Sequence, residues 1–182
     1  RKSITELEVQ ADTTIEDNVS GLVSPADVRN MVKDFLNAMR PAYGVIQQTG
    51  NRTQNFGLTP VKVQWNNASD SDINQTNSSA ANGRISRTER GMSSINFNID
   101  MEATIGRFIT FTLFKNGVAT SWRVTGNGAG TGNPVAVSMT ALDHADPAAY
   151  YEIFATAEVA NTNTVVSNGG MILSVLPVNS YT

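Results

Sequence analysis

His144 is the single imidazole of the chain, and it stands among carboxylates in Leu142-Asp143-His144-Ala145-Asp146. An imidazole beside carboxylates is the raw material of a general base or a metal ligand set. A metal site needs several converging ligands, and one histidine on a loop with two flanking aspartates does not supply them. A Ser-His-Asp nucleophile would have to use this same histidine, yet no G-x-S-x-G elbow occurs to present the serine. Asp70 and Asp72, in ASDSD, offer oxygen ligands to calcium, but their setting reads as a solvated acidic loop. Glu89, Asp100, Glu102, Glu152 and Glu158 show no spacing that singles out a glycosidase-type pair. The glycine-rich run GNGAGTG at 126–132 resembles a phosphate cradle, but Pro134 and a strand pattern follow it. A cradle needs the free amides of a helix N-terminus. The N-x-S/T triplets at Asn67 and Asn74 follow from composition. The expectation is a non-enzyme with no catalytic residues, no cofactor and no metal.

Composition narrows the partners. The 182 residues carry 13 Lys and Arg against 16 Asp and Glu, a net charge of −3. A nucleic-acid footprint would need a basic face, and the few aromatics are not interleaved with basic residues. No apolar run approaches the roughly 18 residues of a membrane span. There is no cysteine, hence no disulfide framework. Asn, Ser, Thr and Gly are abundant, a balance suited to loop-rich β architecture.

One helix stands out in LVSPADVRNMVKDFLNAMRP. Ser24 is a suitable N-cap, Pro25 suits the first helical position, and Asp27 falls in the first turn. Val28, Met31, Val32, Phe35, Leu36 and Met39 then recur at helical spacing as one apolar stripe, and Pro41 ends the helix. So short a helix is marginal alone in water, so the stripe must face its own sheet, sister helices or another protein. The predicted organisation is an N-terminal arm at 1–23, the helix at 24–40, a connector at 41–58, and a β domain at 59–182. Within that domain, 66–84 reads as a long polar surface loop.

The rest alternates as strands. Ile95, Phe97, Ile99 and Met101 share one face, and Asn116-Gly117 is a hairpin turn signal. In residues 108–114 both faces are partly apolar, Ile109, Phe111 and Leu113 opposing Phe108 and Phe114. In AYYEIFATAE, Tyr151, Ile153 and Ala155 oppose Tyr150, Glu152 and Phe154. The aromatics on the outward faces read either as covered by a second sheet or as a subunit interface, where aromatics are favoured. Short strands joined by Gly and Asn turns predict an antiparallel jelly-roll sandwich, mainly β, with an arm and one amphipathic helix.

The segments ITFTLFKNGVA, VAVSMTAL, AYYEIFATAE and the closing GGMILSVLPV resemble the trimeric jelly rolls of the tumour necrosis factor and complement globular-head type. Modules of this kind recur in bacteriophage virion proteins, and SPADVRNMVKDFLNAMRPAYG looks like the helical lead-ins of small phage structural proteins. The resemblance implies a homotrimer packed around a threefold axis, with AYYEIF and the terminal strand near it. The interface residues so expected are Tyr150, Tyr151 and Phe154, joined by the outward Phe108 and Phe114. The expected partners are the chain itself, a major capsid protein or other virion protein met by the arm and helix stripe, and in the alternative a host receptor. The expected place is the outer surface of a phage particle, as a capsid-decorating cement protein or as a fibre tip. No nucleic acid and no membrane is expected among the partners.

Overall fold

Most of 42–176 forms paired strands, the longer ones by alternation of apolar and polar residues, and the computed structural model describes how they pair. It describes residues 24–39, 42–73, 75–88 and 90–176, together with Val9, which lies in a helix. The remainder of the arm, the residues from 177 onward, Asn74 and Glu89 lie outside the described residues, as do the side chains of Leu36 and Met39. Ala42–Leu176 form one compact unit, and the helix belongs to another.

The helix, α1 (Pro25–Met39), starts where the capping signals put it. Ser24 and Asp27 close a reciprocal box. Ser24 Oγ donates to Asp27 Oδ2 at 2.6 Å, Ser24 N donates to the same oxygen at 2.9 Å, and Asp27 N donates back to Ser24 Oγ at 3.3 Å. The hydroxyl bond, then the backbone bond, holds the Asp27 carboxyl below its ordinary range. Of the stripe, Val28, Val32 and Phe35 are exposed and Met31 is half-buried.

Twelve strands are described: β1 (Tyr43–Gln48), β2 (Arg52–Phe56), β3 (Val61–Lys62), β4 (Asn67–Asp70), β5 (Thr76–Ser79), β6 (Arg84–Arg87), β7 (Gly91–Ala103), β8 (Phe108–Lys115), β9 (Val118–Asn127), β10 (Val135–Ala145), β11 (Tyr150–Ala157) and β12 (Thr162–Val175). They form two six-stranded sheets. The first runs β10-β7-β12-β1-β4, with β2 also on β12, and the second runs β5-β6-β11-β8-β9, with β3 also on β11. All the pairings are antiparallel. The architecture is the expected antiparallel sandwich. Between the sheets lie Phe56, Phe97 and Phe111, the Phe97–Phe111 centroids 5.3 Å apart and the Phe56–Phe111 rings edge to face at 6.2 Å. Trp65 meets Phe97 edge to face at 6.4 Å. The β8–β9 turn has positive φ at both Asn116 (53°) and Gly117 (78°), as the hairpin signal requires.

Three expectations need correction. Residues 41–58 are not a connector, because β1 and β2 are integral to the first sheet, against β12. Their inward positions include Gly44, Gln48 and Gln54, so burial there does not read as apolar alternation. The stretch 66–84 is not one loop, since it holds β4, β5 and the start of β6; β4 pairs with β1 and β5 with β6, and Ser78 of β5 donates to Asp70 of β4 from one sheet to the other. His144 lies on β10 rather than on a loop, opposite Met92.

Candidate interaction surfaces

The outward face of the second sheet gathers three of the expected interface aromatics. Phe114 of β8 and Phe154 of β11 stack with centroids 4.2 Å apart and planes 33° apart. Antiparallel register sets Phe114 opposite Glu152 and Phe154 opposite both Thr112 and Lys62. Lys62 Nζ lies 5.6 Å from the Phe154 centroid and pairs with Glu152, which is 4 % exposed. Arg84, opposite Glu152 on β6, holds its guanidinium carbon 5.0 Å from the Tyr150 centroid. The rings are therefore already covered in part by two cations of the same chain. Lys62, Arg84 and Glu152 were not legible as a group, because only strand pairing brings residues so distant in sequence together. Phe108, exposed, stands at the far end of β8, separated from Phe114 by Thr110 and Thr112.

Tyr151 does not belong to that surface. It is fully buried in its own sandwich, because alternation on β11 turns it inward with Ile153 and Ala155. Its phenol donates to Asp143 Oδ2 at 2.5 Å, and Lys115 Nζ reaches the same oxygen at 2.6 Å. Lys115 also donates to the carbonyl of His144 at 3.1 Å. Burial first, then the bond to Asp143, pushes the Tyr151 hydroxyl well above the ordinary phenol range. Nearby Arg87, 2 % exposed, donates through Nη1 to Ser93 Oγ at 2.6 Å and to the carbonyls of Met92 and Gly91 at 3.0 and 3.2 Å. These ionisable groups tie one sheet to the other. His144 itself is exposed, and among the described residues no three His, Asp or Glu side chains converge on a metal position.

The outward face of the first sheet is of another kind. Register lays out successive rungs: Asn67, Gln47, Gly170, Asn98 and Ser138; then Ser69, Val45, Ile172, Asn96 and Thr140; then Tyr43, Ser174, Ser94 and Leu142. None of these residues carries a charge, in a chain with 29 charged side chains. Tyr43 (45 %), Ile172 (39 %) and Leu142 (55 %) are exposed on it, and carboxamides fill much of the rest. Thr140 Oγ1 donates to Asn96 Oδ1 at 2.9 Å, which orders part of that polar surface. Its apolar members are scattered over three strands, so no single segment's alternation reveals the face.

Comparison with solved structures places the fold. The Eiger tumour necrosis factor of S. frugiperda superposes with a TM-score of 0.55 at 12% identity, covering 79% of this chain and 98% of that one. Murine APRIL gives 0.56 at 7% identity, over 75% of this chain and all of the other. The globular domain of zebrafish complement 1qA gives 0.55 at 14% identity, over 77% and 99%. No family model matches the sequence, and no curated protein matches it. At these identities the likeness establishes a tumour-necrosis-factor/complement-head jelly roll as the fold.

Proposed function

We propose that this chain is a non-catalytic, self-associating jelly roll that acts as a homotrimer and is held on a larger assembly by its N-terminal arm and α1. The observation that carries the reading is the band of uncharged rungs across β10, β7, β12, β1 and β4, which ends on β7 at Asp100 and Glu102. Subunit interfaces are depleted in charge at their centre and enriched in aromatic and apolar groups, and Tyr43, Val45, Ile172 and Leu142 supply these amid neutral amides and hydroxyls. The Tyr150, Phe114 and Phe154 patch of the other sheet is the second reading. It is the poorer one, because the Lys62 and Arg84 cations would have to be desolvated with it.

On this proposal the assembly is a phage particle, whose outer surface the trimer decorates by contact with the major capsid protein. What supports it is the likeness of the helical lead-in to those of small phage structural proteins and the exposed Val28, Val32 and Phe35. Three such helices on one trimer would engage together, so modest individual contacts sum to firm attachment. The alternative, a fibre tip on a host receptor, would need far fewer copies per particle.

Sedimentation of the native chain and two variants tests the self-association. The native chain is expected at trimer mass, Ile172→Asp at monomer mass, and Phe154→Arg still at trimer mass. A native monomer at micromolar concentration refutes the proposal, and dissociation by Phe154→Arg with Ile172→Asp intact moves the interface to the second sheet.

A further inference from the structure

Where the chain crosses from β2 to β3 and on to β4, it passes the turn between β5 and β6 and leaves an open cleft of about 480 Å³. Its polar wall is Arg52, Lys62, Gln64 and Asn82, and Ala80 and Ala81 contribute small apolar side chains. The Lys62 charge is already met by the buried Glu152. Arg52 has no carboxylate partner among the described residues. Its guanidinium donates to the carbonyl of Trp65 at 3.5 Å and to Gln64 Oε1. Those bonds hold the fork in place and leave further N–H groups unused, since arginine has five donors. Gln64 is fixed in turn, its backbone N donating to Gln54 Oε1 at 2.9 Å and its carbonyl accepting from Gln54 Nε2 at 3.1 Å. The Asn82 side chain makes no hydrogen bond among the described residues, though its backbone carbonyl accepts from Lys62.

The chemistry of the cleft is thus one positioned, unneutralised guanidinium between two carboxamides, over a floor of small residues. A guanidinium fork matches a carboxylate, and carboxamides match hydroxyls as both donors and acceptors. Trp65 is 3 % exposed, with its ring against Phe97, so the cleft offers no aromatic platform for a neutral sugar or a base to stack on. Its volume falls in the range of small-ligand sites. We propose that the cleft binds an acidic saccharide, with the carboxylate on Arg52 and ring hydroxyls on Gln64 and Asn82. This inference is independent of the self-association proposed above.

The full chain is titrated calorimetrically with digalacturonate and sialyllactose, with lactose and sodium sulfate as controls. At least one acidic sugar is expected to bind, with lactose on the order of 10-fold weaker or more, the scale of one charge-assisted contact. Arg52→Gln should lower that affinity by about 10-fold or more, and Arg52→Lys, which keeps the charge and loses the fork, should fall between. Should Arg52→Gln melt well below the native chain, Arg52→Lys and Asn82→Ala carry the comparison. Equal binding of lactose, sulfate competing as well as the sugars, an unchanged affinity in these variants, or no binding of either acidic sugar at millimolar concentration would each overturn the assignment.

Discussion

Replacing Tyr151 by Phe separates a core role from an interface role for this residue. The Tyr151 phenol is fully buried and donates to Asp143 at 2.5 Å, and the folded chain holds its proton well above the ordinary phenol value near 10. In the unfolded chain that phenol ionises around pH 10. Above pH 10 the unfolded state therefore binds fewer protons than the folded one, and stability must fall as pH rises. At pH 11 the unfolded phenol is about 90% ionised while the folded one keeps its proton, so this one group removes about 1.4 kcal/mol relative to neutral pH. Tyr151→Phe loses the hydrogen bond, costing roughly 1–3 kcal/mol at pH 8, because Asp143 keeps Lys115 but loses a donor. The variant should also lose the extra alkaline slope. Urea unfolding of both chains at pH 8, 10 and 11 reads both effects, the gap narrowing by about 1.4 kcal/mol from pH 8 to 11. The other tyrosines and the lysines are common to both chains and cancel. A gap that stays constant with pH refutes the buried, protonated phenol. A change of sedimentation mass without a change of stability would put Tyr151 at a subunit contact.

Phe111→Ala removes a fully buried ring that packs on Phe56 and Phe97, and should cost about 3–5 kcal/mol, read as a melting temperature lower by roughly 10 °C. Gly169 sits at the β12 bulge with space for no side chain, since a Cβ there would stand 2.3 Å from the carbonyl oxygen of Asn98. Gly169→Ala should thus destabilise by about 1–3 kcal/mol in denaturant unfolding, with Ser174→Ala as a mild control. Phe35→Asp places a charge among the exposed apolar residues of α1, and particles reconstituted with it should carry at least ten-fold fewer copies by quantitative gel, the sandwich remaining folded by circular dichroism.

The helix was legible in full because its signals are local. Ser24, Pro25 and Asp27 act within one turn, and the apolar period needs no partner to be read. The long strands were legible too: along Ile95 to Met101 every inward position is apolar, and Asn116-Gly117 dictates its own turn. Short strands with polar inward positions were not. β1 turns Gly44 and Gln48 inward, and Gly44 fits because a Cβ there would meet Ser78, Asp70 and Ile85 at 2.6–2.8 Å, a closeness that exists only after folding. Alternation foretold that Tyr150, Phe114 and Phe154 face away from the core, but not that Lys62 and Arg84 cover them. It could not reveal an uncharged band made of two or three residues from each of five strands. Periodicity along one chain segment tells which side of a strand is buried. Which residues become neighbours across strands depends on register and sheet order, and those are decided by long-range pairing between segments as far apart in sequence as Lys62 and Glu152.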